Sequence, residues 1–336
     1  MSAVSKLANL WGVLVELEET YGTAPALAEA EDGVLVLEKP LPDVAYSISG
    51  ERGGGSAPGT AGRLKRVGKG GRYAEVDLVT EMIGPGSAYA ASTVPHIHDL
   101  MQAAGHTVTV DETGGSESIT YAPASAIADW ESVAAEIYAD GEKYPLNGVY
   151  TDLEIESEGG EVPTWTFSAQ GRCGTVVDAD VPSITYPSDL PAKAVGISLS
   201  LGDYGSGKVR SFRFAKGQDI SARTDENASD GHAGFAPGDR APVLEVVVEK
   251  TDLEASPYHA AEGLDARALM EAATEIALSL DVGSIQYTDK FSVSASQAQL
   301  IEVGDDEDGS VPLWTLTFAL NPSTPGGNDD YSIVVD

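Results

Sequence analysis

The clearest feature of the chain is the alternation of apolar and polar residues in short runs. Residues 149–172 contain two such runs on either side of Gly159 and Gly160, a pair that tolerates the positive φ angles of a tight turn. This pattern predicts a β-hairpin with one face in a hydrophobic core. A second hairpin of the same design is predicted at residues 299–320, with the acidic stretch 304–309 as its turn.

The two predicted hairpins also share residues. Pro163-Thr-Trp-Thr-Phe167 in the first aligns with Pro312-Leu-Trp-Thr-Leu316 in the second, 149 residues later. Upstream of the hairpins, residues 243–248 match residues 73–78 at a spacing of 170. These matches indicate that the chain contains two copies of one design.

One helix is predicted in each copy. Apolar residues at positions i, i+3, i+4 and i+7 occur at Ile97, Leu100, Met101 and Ala104. We expect Thr93 to cap this helix, Pro95 to lie in its first turn and Gly105 to end it. The same stripe returns 169 residues later, at Ala266, Leu269, Met270 and Ala273.

The resulting organisation is two mainly β domains with a flanking helix each. We place the first domain at residues 1–180, a proline-rich linker at 181–194 and the second domain at 195–336. Within each domain a long polar loop is expected between two strands, at residues 50–71 and 217–240.

The first copy is longer between its helix and its tryptophan, because the spacing of the two copies falls from 169 to 149. We assign part of this extra material to residues 130–140. These residues alternate, which favours a strand that enters a hairpin at Asp140-Gly141.

The charge of the chain excludes one class of function. Its 20 basic and 53 acidic side chains give a net charge of −33, so the molecule as a whole repels nucleic acid and does not bind phosphates by counterion release. The single cysteine, Cys173, permits no internal disulfide and is expected to pack in the core at a strand end. No apolar run approaches the roughly 20 residues that span a bilayer, and the first residues lack the features of a signal peptide.

Basic residues are concentrated in the first predicted loop. This cluster consists of Arg52, Arg63, Lys65, Arg66, Lys69 and Arg72. In so acidic a protein it is a candidate docking site for an acidic neighbour. A solvated charged loop is the alternative.

Several chemical motifs were weighed and rejected. Gly202–Lys208 matches the spacing of a phosphate-binding loop, but Val209 replaces the required Ser or Thr, so a β-hairpin turn is predicted instead. His96 and His98 stand two apart and are expected on different faces of the helix. The acidic runs 225–231 and 305–308 are expected to be solvated turns. We therefore predict no enzyme, no cofactor and no metal site.

Some stretches resemble a known family. Trp11 to Pro25, Glu136 to Tyr144, and Asn147-Gly148 continuing into Glu158 to Gly171 resemble tail tube proteins (major tail proteins) of bacteriophages with long, non-contractile tails. The resemblance covers most of the first half closely and the second half more loosely. It implies a β-sandwich with a flanking helix, here in two tandem copies.

In that family six such domains form a ring, and stacked rings form the tail tube through which DNA passes. Because this chain carries two copies, three chains are expected to form one pseudo-hexameric ring. The resemblance implies a virion protein assembled in the host cytoplasm. Its expected partners are other copies of itself, a tape measure protein, and tail terminator or distal tail proteins, without specific DNA binding and without a membrane.

The resemblance also assigns roles to residues. The basic loop, Arg52 to Arg72, is expected to dock on the next ring. The candidate channel or ring-contact residues are Asp152, Glu154, Glu156 and Glu245. Two alternatives stay open: a β-sandwich decoration or carbohydrate- or cell-surface-binding module of a virion, and a hydrolase whose site is hidden by sequence spacing.

Overall fold

The structure, a computed structural model, describes residues 10–53, 65–187, 197–225, 227, 232–253, 259–260, 263–283 and 285–336. The prediction of a mainly β chain is confirmed. The strands of the first half are β1 (Trp11–Leu17), β2 (Gly33–Val34), β3 (Asp43–Gly53), β4 (Lys65–Glu81), β5 (His106–Asp111), β6 (Ser118–Pro123), β7 (Val133–Ala139), β8 (Glu142–Glu158), β9 (Thr164–Cys173) and β10 (Val177–Asp178). Those of the second half are β11 (Ser198–Leu201), β12 (Tyr204–Gly207), β13 (Val209–Ala215), β14 (Gln218–Thr224), β15 (His232–Arg240), β16 (Val243–Glu249), β17 (His259–Ala260), β18 (Gly263–Leu264), β19 (Glu275–Val282), β20 (Phe291–Asp308), β21 (Val311–Leu320) and β22 (Ser332–Val335).

The two halves repeat one order of antiparallel strand pairing. In the first half β1 pairs with β2 and β7, β7 with β8, β8 with β9, and β9 with β4. In the second half β11 pairs with β12 and β19, β19 with β20, β20 with β21, and β21 with β16. The pairing partners give the spacing of equivalent residues: Leu78 lies opposite Phe167, and Val246 lies opposite Leu316. Leu78 and Val246 are 168 residues apart, two fewer than the sequence match predicts, which keeps the same strand face inward.

The additional residues of the first half do not lie at residues 130–140, where we predicted them from the sequence. Residues 130–140 contain β7, a strand as predicted, but β7 pairs like β19 and therefore has an equivalent in the second half. The additional residues are instead the β5–β6 hairpin, which lies between the helix and β7. This hairpin joins the halves, because β6 pairs with β22 near the C-terminus.

The two helices are shorter than their apolar stripes. Helix α1 (His98–Ala103) starts after Ile97 rather than at Thr93, which instead exchanges backbone hydrogen bonds with Ala90. The capping prediction was therefore wrong, although the buried face of Ile97, Leu100, Met101 and Ala104 is confirmed. Helix α2 (Ala266–Ala272) is capped by Asp265, whose side chain accepts a hydrogen bond from the Ala268 N–H, and ends at Ala273 in a left-handed conformation.

The segments predicted as loops are largely strands. Residues 50–53 and 65–71 belong to β3 and β4, and residues 218–224 and 232–240 form the β14–β15 hairpin. Likewise the acidic residues 304–308 are the end of β20, and the turn is confined to Gly309 and Ser310. In all three places backbone pairing determines the structure, because side chains on a solvated hairpin need not be apolar.

The turn predicted at Gly202–Lys208 is confirmed as a β11–β12 hairpin, in which Gly202 has a φ of 57°. Cys173 is the last residue of β9 and is buried, as predicted.

One connected cluster of buried apolar side chains includes residues from both halves. Trp165 of the first half packs edge-on against Phe291 of the second, with 5.2 Å between the ring centroids. The boundaries at 180 and 194 stay predictions, and residues 188–196 of the linker lie outside the described residues. None of the helices in the described residues is long and apolar enough to cross a membrane.

Candidate functional site

Strand pairing between the two halves, which we call the joint, forms one extended sheet. Strand β13 of the second half pairs with β8 of the first, with Ser211 opposite Glu158 and Ala215 opposite Glu154. Within the described residues the strands β3, β4, β9, β8, β13, β16, β21 and β20 therefore follow one another in a single antiparallel sheet. One face of this sheet is buried in the core, since the residues of β8, β9 and β16 alternate in burial.

The other face of this sheet is strongly acidic, and we call it the acidic face. Directly opposite residues on antiparallel strands point to the same side of a sheet, so pairing and alternation identify its members. Its carboxylates are Glu75, Asp77 and Glu81 on β4, Asp152, Glu154, Glu156 and Glu158 on β8, Glu245 and Glu249 on β16, and Glu302, Asp306 and Asp308 on β20. Glu249 and Asp308 pair with Arg210 near one end of the face. Thr164, Thr166, Ser168, Thr315 and Thr317 separate them on β9 and β21. Such a surface repels polyanions.

Arg213 lies in the middle of the acidic face. It is directly opposite Glu156 on one side and Glu245 on the other. Its guanidinium forms two hydrogen bonds with the Glu154 carboxylate, one of them 2.8 Å long between Nη2 and Oε2. The bond to Glu154 raises the pKa of Arg213 above its ordinary value. Three of the four predicted acidic residues thus meet around one cation that sequence reasoning missed.

The fourth predicted residue, Asp152, stabilises the contact between the two halves. Its Oδ1 accepts hydrogen bonds from the backbone N–H groups of Leu153 and Gln218, both at 2.9 Å. Gln218 begins the β14–β15 hairpin, so Asp152 fastens that hairpin to the first half. Burial raises the pKa of this carboxyl.

The base of the β14–β15 hairpin packs on the first half. The Tyr21 hydroxyl accepts a hydrogen bond of 2.7 Å from the Phe235 N–H and lies 3.3 Å from the Phe235 carbonyl oxygen. The Phe235 ring meets Tyr73 edge-on at 6.3 Å. Gly234 has a φ of 98° and passes so close to Tyr21 that any larger side chain would collide with the ring.

Behind the sheet, buried polar groups cross the joint. The Arg240 guanidinium bonds both carboxylate oxygens of Asp330, at 2.7 and 2.9 Å, and also the carbonyl oxygens of Ala124 and Gly327. The buried ammonium of Lys216 donates to the Ala104 carbonyl and lies 4.4 Å above the Trp130 ring.

Burial shifts the pKa values of the groups in this region. It lowers the pKa of Lys216 to about 7, with an opposing effect from Asp152. It also lowers the pKa of His106 well below the usual value. The two ring nitrogens of His106 lie 2.8 Å from the Met101 carbonyl and the Tyr331 hydroxyl. These groups hold the halves in one arrangement, and no sequence signal marks them, because the partners of His106, Lys216 and Arg240 in the other half lie more than 100 residues away along the chain.

The basic cluster lies on the β3–β4 hairpin. Backbone pairing places Arg52 opposite Arg66, and puts Lys65, Lys69 and Arg72 on the same hairpin. Arg72 donates a hydrogen bond of 2.9 Å to the Thr175 hydroxyl. Arg63 lies outside the described residues. The structure thus assigns most of this cluster to paired strands, whereas the sequence predicted a loop.

The predicted turns and histidines have structural partners. Asp305 pairs with Lys250 and Arg267. His96 lies 3.0 Å from the Thr80 hydroxyl, and His98 lies 2.9 Å from the Tyr121 hydroxyl. Most of residues 225–231 lie outside the described ranges. In the part of the chain that the structure describes, no three His, Cys, Asp or Glu side chains are placed to hold a metal ion.

A scan against protein-family models found no match for this chain, and a search of curated proteins likewise found none.

Proposed function

We propose that this chain is a structural assembly protein: a tail tube subunit with two tandem β-sandwich domains. Three copies form a pseudo-hexameric ring, and stacked rings form a channel for DNA. The observation that carries the proposal is the acidic face, whose carboxylates lie on both sides of the joint between the halves, with Arg213 of β13 between them. The sequence resemblance to tail tube proteins supports the same conclusion.

The repeated strand order supports the ring. The sheet consists of two equivalent units: residues 37–43 with β4, β9 and β8, and then β13 with β16, β21 and β20. Residues 37–43 are counted with the first unit because the Leu37 N–H donates to Val79 of β4 and Asp43 lies opposite Glu75. A constant rotation between neighbouring units closes into a ring when the rotation divides a full turn, and six units correspond to three chains.

The chemistry of the acidic face suits passage of DNA. Each phosphate that a protein neutralises adds a sequence-independent contact that slows movement along the duplex. Carboxylates avoid such contacts. The cation at its centre, Arg213, is already bonded to Glu154 and flanked by Glu156 and Glu245. A channel lined by this face repels the DNA that it conducts.

The β3–β4 hairpin suits contact between rings. Its basic residues, Arg52, Arg63, Lys65, Arg66, Lys69 and Arg72, complement acidic surface on a neighbouring ring and give orientation and association rate more than affinity. Replacing Arg63, Lys65 and Arg66 by Glu is expected to block stacking and leave rings intact. Unchanged tube length in that variant contradicts the docking role.

Negative-stain electron microscopy of the purified chain tests the proposal. We expect rings with a central channel and six similar lobes, and at higher concentration hollow tubes. Analytical ultracentrifugation is expected to give the mass of three chains for a single ring. Monomers at every concentration contradict the proposal. Monomers that bind sugars on a glycan array support the decoration or carbohydrate-binding alternative instead.

A further inference from the structure

We propose that residues 39–44 of one copy lie along the open edge of β20 in the next copy, in the register that β13 adopts on β8. This inference rests on the proposed function, since it names the contact that closes the ring. The partner is a second copy of this chain. The joint inside the chain serves as a template for the joint between chains.

The internal joint has a defined hydrogen-bonding pattern. The Glu249 N–H donates to the Lys208 carbonyl, and the Leu320 N–H donates to the Pro242 carbonyl. Alternation along β16 and β13 therefore directs the backbone groups of Phe212, Phe214 and Lys216 toward β8. The Lys216 N–H donates to the Leu153 carbonyl at 2.9 Å, as this pattern requires.

The first half contains a counterpart of β13. Ala215 lies opposite Val243, and Asp43 lies opposite Glu75, the residue equivalent to Val243. Counting back from this pair, residues 39–44 are equivalent to residues 211–216. The first half has two additional residues before them, because the Leu37 N–H donates to Val79, the residue equivalent to Val247, which lies opposite Ser211. Residues 39–44 follow the same burial alternation, because Pro40 and Pro42 are buried as Phe212 and Phe214 are, and Leu41 is exposed as Arg213 is.

The second half contains a counterpart of the edge that receives β13. Up to Gln299, β20 pairs with β19 on one edge, and with β22 and then β21 on the other. Beyond it, residues 302–308 pair with β21, and in the described ranges no strand lies along the edge that β19 has left. Trp165 lies opposite Ile155 and its equivalent Trp314 lies opposite Asp305, so residues 304–308 correspond to residues 154–158 of the internal joint.

Exposed apolar side chains occur on both surfaces. Leu41 is 58% exposed on the segment that would dock, and Leu37, just before that segment, is 42% exposed. On the receiving side, Ile301 is 51% exposed at the bulge of β20. Ile301 lines an open groove of about 740 Å³, together with Ala241 and Ala319. Ala241 and Ala319 are equivalent to Tyr73 and Gln170, next to which the β14–β15 hairpin packs in the first half.

The groove therefore corresponds to the place where a hairpin packs inside the chain. The base of the β3–β4 hairpin of the next copy, which continues directly from residues 39–44, is the equivalent occupant, while the basic residues further along that hairpin serve the contact between rings. Clustered exposed apolar residues of this kind mark protein interaction surfaces.

Two prolines distinguish the proposed joint from the internal one. Pro40 and Pro42 occupy the positions equivalent to Phe212 and Phe214, so they offer carbonyl acceptors but no N–H donors to β20. The joint between copies then lacks the backbone hydrogen bonds that the two prolines would have donated. The N–H groups of Asp305 and Glu307 donate to the proline carbonyls, and the Val44 N–H donates to the Val303 carbonyl. Prolines on a strand edge also limit unspecific pairing of free chains.

A cysteine pair tests this register. Leu41 and Asp306 are predicted to be directly opposite each other on the acidic face, where paired Cβ atoms are about 5 Å apart. Within one chain these two residues lie at opposite ends of the eight-stranded sheet. A disulfide in the variant Leu41→Cys with Asp306→Cys must therefore join two chains. After mild oxidation of assembled protein we expect most chains to run as covalent multimers on a denaturing gel without reductant.

The matched control is Leu41→Cys with Glu307→Cys, in which the second thiol points to the other side of the strand. It is expected to give less than a tenth of the multimers of the first pair. Equal cross-linking of both pairs contradicts the register. Rings in the electron microscope without cross-linking of the first pair overturn this inference and leave the proposed function standing, whereas a wild-type chain that never assembles overturns both.

A second measurement uses side chains that the disulfide does not involve. Ile301→Glu places a charge in the groove and is expected to raise the concentration needed for ring assembly at least tenfold. Ile127→Glu, at a residue that is 67% exposed elsewhere on the first half, is the control and is expected to leave that concentration unchanged. Equal effects of the two substitutions contradict the assignment of the groove.

Discussion

Two arginines of the second half contact the first half, one on an exposed surface and the other in a buried environment. Arg213 bonds Glu154 on the acidic face, where the two side chains are 54% and 33% exposed. Arg240 bonds Asp330 behind the sheet, where they are 12% and 5% exposed, and it also bonds the Ala124 carbonyl. The same chemical pair thus occurs once in water and once in the interior. The comparison indicates that the buried groups fix how the halves join, while the exposed groups set the potential of the surface.

The largest expected effect is that of Arg240→Met. This substitution leaves the Asp330 carboxylate buried without its partner and removes the donors to Ala124 and Gly327. Breaking a buried pair by removing one member costs about 3–5 kcal/mol. We expect a loss of this size in the free energy of unfolding, measured by urea denaturation. A loss below 1 kcal/mol would show that water reaches Asp330. The double variant Arg240→Met with Asp330→Leu, which removes both charges, is expected to recover part of the loss.

A smaller loss is expected for Tyr331→Phe. The Tyr331 hydroxyl is within 2.8 Å of the His106 ring, and both residues are buried. Removing the hydroxyl leaves a buried ring nitrogen unpaired, which costs about 1–3 kcal/mol. Tyr186→Phe, at a tyrosine that is 36% exposed, is the control and is expected to change stability by less than about 0.5 kcal/mol. Thermal and urea unfolding of the two variants measure this difference, and equal losses argue against the buried bond.

The pH dependence of stability reports on Lys216. Its pKa is about 7 in the folded chain because of burial, against 10.5 for an ordinary lysine. Between these values the unfolded chain binds a proton that the folded chain does not, so stability rises with pH by up to about 1.4 kcal/mol per unit. In Lys216→Met this contribution is absent, and the slope between pH 7.5 and 9 is expected to fall accordingly. An unchanged slope in urea unfolding series would mean that Lys216 stays charged in the folded chain.

The sequence predicts the strands on the core side of the molecule well. Apolar and polar residues alternate in β8, β9 and β21, so that one face of each strand is hydrophobic. Because this alternation is a sequence signal, the two closing hairpins could be predicted from the sequence. Residues 304–308 lack that signal, because a strand end that projects beyond the core has no apolar face. Their acidic composition therefore suggested a turn.

The joint between the halves was not predictable in the same way. Pairing of β13 with β8 joins residues more than 50 positions apart, and alternation within each strand carries no information about a distant partner. The buried charged residues could not be predicted either. Arg240 and Lys216 look like surface residues in the sequence, and their partners Ala124 and Ala104 are backbone carbonyls that carry no residue-specific signal.

The smallest expected effect completes the comparison. Arg213→Ala removes the exposed pair with Glu154, and pairs in such surroundings contribute about 0–1 kcal/mol. We expect the free energy of unfolding to change by no more than this, and the change to shrink further in 1 M salt because the Debye length falls to about 3 Å. A loss near that of Arg240→Met would mean that the acidic face, and not only the buried groups behind it, determines how the halves join. A small loss instead shows that the buried groups alone are enough to join the halves, and that the charge of the acidic face is not needed for stability.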